Sequence, residues 1–129
     1  MSFRDKLEQS RERLSNTDAI IAAELETNFS CEYFATDNIK SLPACLDLRF
    51  TDGNRQAVPY SFVTGIFYDL SNGIVISTTT KIIKISGRDL SRLYDYLVAY
   101  RVRYIQANLG TDIGEEGLFV ESINVEDLN

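Results

Sequence analysis

Cys31 and Cys45 are the only two cysteines, and the chain contains no histidine. A tetrahedral zinc site made from those residue types needs four ligands, which one copy cannot supply. A thiolate nucleophile would lack the imidazole that usually activates it. The commonest general base at neutral pH is missing as well. No serine stands in a Gly-x-Ser-x-Gly turn, and neither common glycine-rich phosphate loop occurs. Carboxylates are the remaining route to catalysis. Glu32 with Asp47 or Asp69 are the candidate pairs, but they come from separate predicted segments. The acidic stretch 111–117 suggests calcium, yet it lacks the alternating ligands and closing Glu of an EF-hand loop. A solvated loop is the expectation there. The two cysteines are read as small buried apolar groups without a disulfide. No enzyme, cofactor or metal centre is expected.

Binding chemistry is better represented. Leu90, Leu93, Tyr94, Leu97, Val98, Tyr104 and Ile105 form an apolar arc when the stretch is plotted as a helix, and Arg101 falls near its centre. A guanidinium there must snorkel, pair with an acid such as Asp69 or Asp47, or line an anion pocket. Gly65, in the middle of the longest strand candidate, leaves room that a ligand could fill. Arg101, Gly65 and Asp69 are therefore the candidate small-anion or small-molecule site, the mark of a binding domain or degenerate enzyme. Arg88, Arg92 and Arg103 occupy the opposite face of the same predicted helix, with Tyr96 and Tyr100 at the arc's margin. Phe3, Leu7 and Leu14 belong to a narrow stripe on a predicted N-terminal helix. Aromatic and arginine side chains of this kind are enriched in protein interfaces, so these eight residues form the candidate interaction surface.

The elements that must position these groups follow from pattern. Residues 1–26 read as an N-terminal helical segment. A β-meander of about five to six strands follows over 31–86, with hairpin signals at Asp52-Gly53 and Asn72-Gly73. Val58–Asp69 is its longest strand, starting near Pro59. A long helix over 89–108 is capped by Asp89 and stopped by Gly110. A final strand spans 118–125. The fold class is α+β: an antiparallel sheet with the long helix packed on it. The order of elements also fits a half-barrel closed by that helix, as in pleckstrin-homology-like folds, which implies nothing about function.

A chain of 129 residues with 44% hydrophobic and 25% charged residues fits one globular domain with a single core. Apolar runs are too short to cross a bilayer and no signal core follows Met1, so a cytoplasmic protein without membrane contact is expected. The net charge of −6 opposes nucleic-acid binding. Charge is nonetheless segregated. Lys81 to Arg103 holds six basic and two acidic residues, whereas 104–129 holds six acids and no base. The acidic segment should fold back near the basic one and offset it locally. The functional expectation is a non-catalytic interaction module, a homodimer or the partner of another protein; any small-molecule ligand is unidentified.

Overall fold

The computed structural model describes residues 28–110 and 117–128. Its elements are β1 (Phe34–Thr36), β2 (Cys45–Arg49), β3 (Arg55–Pro59), a 3-10 turn (Tyr60–Phe62), β4 (Val63–Asp69), β5 (Gly73–Thr78), β6 (Lys81–Arg88), α1 (Ser91–Val98), β7 (Val102–Gln106) and β8 (Phe119–Asp127). They build two four-stranded sheets: a mixed one in the order β1-β7-β2-β3 and an antiparallel one in the order β4-β5-β6-β8. The expected N-terminal helix lies outside the described residues.

Both predicted hairpins form. Gly53 and Gly73 take positive φ in the β2–β3 and β4–β5 turns, and a third turn at Thr79-Thr80 joins β5 to β6. The meander is nevertheless not one sheet. Pro59 ends β3 instead of opening a long strand, and the 3-10 turn carries the chain from the mixed sheet into the antiparallel one. The half-barrel closed by a helix is thereby corrected to two open sheets, with no closed barrel among the described residues.

The long helix over 89–108 is also corrected. Only eight residues are helical, because Tyr100 adopts φ +57°. Its amide donates to Leu97 O, and the Arg101 amide donates to Tyr96 O. That pair of bonds is a Schellman stop with Tyr where glycine is usual. Asp89 has φ +54° and does not cap; Leu90 occupies that position without a side-chain bond. Gly110 has positive φ too, but in the loop after β7, and caps no helix. Beyond the stop, β-branched Val102 and Ile105 enter β7, which runs parallel to β2 and antiparallel to β1.

The core is one cluster fed by both sheets and the helix. Phe34, Leu46, Leu48, Val58 and Ile105 come from the mixed sheet, Ile74, Ile76, Ile83, Ile85 and Ile123 from the antiparallel one, and Leu93 and Leu97 from α1. Strand alternation thus gives each sheet a buried face and an outer face. Along β6 and β8, Lys81 pairs with Asp127 at 2.5 Å and Lys84 with Glu126 at 3.4 Å. The acidic segment does fold back on a basic one, but strand on strand.

Candidate functional site

The residues singled out from sequence do not converge. Arg101 is wholly buried. Its Nε donates to Asp37 O at 3.0 Å, its carbonyl accepts from the Asp37 amide, and its guanidinium stands 5.1 Å from the centre of the Tyr96 ring. It clasps the β1–β2 connection to the end of α1. Asp69 accepts from the Ser71 amide and from Asn72 Nδ2 in the β4–β5 turn, and Asp47 is bound to arginines described below. Gly65 lies at a bulge opposite Ser77, and a Cβ added there would meet nothing within 4 Å. Its gap opens outward.

The predicted basic ridge is not a helix face. Arg88 is on β6, where its Nε donates to Gly117 O and its guanidinium covers Phe119; Arg103 is on β7, 3.4 Å from Asp37 Oδ1. Arg92 does belong to α1 and stacks 3.8 Å above the Phe29 ring, beside Tyr96. Tyr100 stacks on Tyr60 at 4.8 Å. These side chains are committed to contacts within the chain. Phe3, Leu7, Leu14 and most of the acidic 111–117 stretch lie outside the described residues. Cys31 and Cys45 are half-buried and free, not fully buried. Among the described residues no three Cys, Asp or Glu side chains gather closely enough to hold a metal ion, and no helix is long and apolar enough to cross a membrane.

Two features stand out that these readings missed. The first is the row Gln106–Arg49–Arg55 on the outer face of the mixed sheet. Register places Arg49 beside Gln106 on β7 and opposite Arg55 on β3. Behind them lie Asp47 and Tyr104, also in register. Arg49 Nε and Arg55 Nε donate to Asp47 Oδ2 at 3.1 and 3.0 Å, and Arg55 Nη2 joins them. Burial alone would raise the Asp47 pKa, but the arginine hydrogen bonds and charges outweigh it and hold the carboxyl below its usual 3.8. Arg49 also lies 3.8 Å above the Tyr104 ring. With Phe50, Gly53 and Leu109 this row lines a shallow pocket of about 260 Å³. The signal was available: Asp47 and Arg49 share a face at strand spacing, and a hairpin turning at Asp52-Gly53 brings Arg55 opposite.

The second feature is the edge strand β4. Ile66 and Tyr68 point to the core but are only half-buried, whereas their partners Ile76 and Ile74 are 1% and 0% exposed. On this side Tyr68 stacks on Tyr94 of α1 at 5.6 Å, so the helix covers part of the inner face and the strand's outward edge is what stays open among the described residues. Phe62, Phe67 and Leu70 stand on that strand or its flanks with 51%, 61% and 90% exposure. Among the described residues, the outward backbone groups of β4 have no strand partner. Comparison of the chain with protein-family models, with curated proteins and with solved structures finds no match to any of them.

Proposed function

We propose that this chain is a non-catalytic protein-interaction module that pairs with a second copy of itself along β4. The observation that carries this reading is the run of exposed Phe62, Phe67 and Leu70 on a sheet edge that has no further strand partner among the described residues. Proteins commonly protect edges with lysine, proline, short length or charge. The other three edges follow that rule. β1 has three residues, β3 presents Arg55 and ends in Pro59, and β8 carries Glu121, Glu126 and Asp127. By contrast, β4 has no Lys, Arg or Pro, and its single acid, Asp69, sits at its last position. Its bulge falls between Val63 and Gly65, so the strand from Gly65 onward remains in regular register.

A second copy suits this edge on charge. Two β4 strands crossing antiparallel about Ile66 and Phe67 keep the two Asp69 side chains at opposite ends, so no like charges meet. Two β8 strands would bring acids together in a chain already at −6. Such pairing is an isologous, two-fold contact. Sedimentation equilibrium should show a monomer–dimer equilibrium for the wild type. Phe67→Lys combined with Leu70→Lys should leave a monomer with an unchanged far-UV spectrum. A wild type that stays monomeric at millimolar concentration, or a double variant that still dimerises, refutes the proposal.

A further inference from the structure

We infer that the pocket over Gln106, Arg49 and Arg55 is a binding site for the carboxylate of a small organic acid, separate from the β4 edge. Arg49 is the centre of the site. One guanidinium face is held by Tyr104 and its Nε by Asp47, while Nη1 and Nη2 have no protein acceptor among the described residues. A fork fixed in this way has already lost the freedom that binding would otherwise take from it, and its geometry matches a planar two-oxygen anion. Arg55 reinforces the positive potential from the neighbouring strand.

Charge and size narrow the ligand further. Two guanidinium groups and one carboxylate, kept ionised by its low pKa, leave a local charge of +1. One negative charge satisfies that, so a carboxylate fits better than a phosphate dianion. Gln106 Nε2 donates to Ala107 O at 2.9 Å, which leaves Gln106 Oε1 as an acceptor beside the arginines. Phe50 and the exposed Leu109 supply an apolar wall. A cavity of about 260 Å³ lies just under the range of roughly 300–1,000 Å³ for drug-sized ligands. A compact acid with one apolar group matches it.

Sodium benzoate titrated into the 15N-labelled full chain, with benzamide as the neutral isostere, tests this assignment. Benzoate should shift the Gly53, Gln106 and Leu109 amides saturably, and benzamide at equal concentration should leave them in place. Arg49→Met keeps an apolar side chain of similar length beside Tyr104, removes the guanidinium, and should weaken benzoate about tenfold or more, the effect of losing a charge-assisted bond. Gln106→Glu adds a negative charge at the rim and should weaken it comparably, which keeps the test open if Arg49→Met fails to fold. Equal shifts with benzamide, shifts that never saturate, or benzoate binding untouched by Gln106→Glu overturns the site. Tighter binding of phenyl phosphate than of benzoate overturns the assignment to a single charge.

Discussion

Tyr60 shows how one buried polar atom shapes stability. Its hydroxyl donates to Val102 O at 2.6 Å, joining the 3-10 turn to the start of β7. Burial pushes its pKa far above the usual 10, and Tyr100 and Asp37 act in the same direction. A folded-state pKa raised in this way contributes stability below the unfolded value of about 10 and loses it as pH rises beyond that. Tyr60→Phe should cost about 1 kcal/mol at neutral pH, and denaturant unfolding should show this wild-type advantage shrinking above about pH 10. Asp47 has the opposite sign. Its depressed pKa stabilises the fold above about pH 4, and that contribution disappears as pH falls through the lower folded value. Asp47→Asn should therefore be less stable than wild type at pH 7, with the gap closing in acid. The same variant frees Arg49 to move and should weaken benzoate even though it removes a negative charge.

At the scale of elements, the left-handed residue that stops α1 is testable. Tyr100 pays for φ +57° with its stack on Tyr60. Tyr100→Ala loses the stack and keeps the strain, whereas Tyr100→Gly loses both. The glycine variant should be the more stable of the two by about 1 kcal/mol in urea melts. Gly87 and Gly65 form a second contrast. A Cβ at Gly87 would lie 1.9 Å from Phe119 O across the β6–β8 bulge, whereas at Gly65 it meets open space. Gly87→Ala should be strongly destabilising and Gly65→Ala within about 0.5 kcal/mol of wild type. These sites also show what sequence could convey. Asp52-Gly53 and Asn72-Gly73 specify their turns locally, so the hairpins were legible. Residues 97–105 were not: Leu97, Val98, Arg101, Tyr104 and Ile105 satisfy helical spacing, and only the conformation of Tyr100 breaks it. Division into two sheets was hidden likewise, because a 3-10 turn after Pro59 leaves no periodicity signal. The Arg49–Arg55 pair was readable once the hairpin register was taken seriously, while the open margin of β4 depends on which strand ends up outermost.

For the whole molecule, the balance between net charge and apolar edge makes salt a diagnostic of the proposed pairing. Each copy carries −6, so two copies repel one another at low ionic strength. In the proposed pairing β4 would contribute apolar surface and main-chain bonds, with Asp69 kept at the ends, so salt would have no attractive ion pair to screen there. Raising salt from 0.01 M to 0.1 M shortens the screening length from about 30 Å to about 10 Å. Repulsion between the bodies then falls while the edge contact is unaffected, and dimerisation should strengthen over that range. An interface built from the basic groups of one copy and the acids of the other would weaken instead. Sedimentation across the salt series measures the sign directly. Hydrogen exchange on the same samples should locate it, with protection rising with protein concentration at Gly65–Tyr68 and staying constant along β8. Weaker association at 0.1 M salt, or concentration-dependent protection on β8 in place of β4, would show that charge, not the apolar edge, holds the copies together.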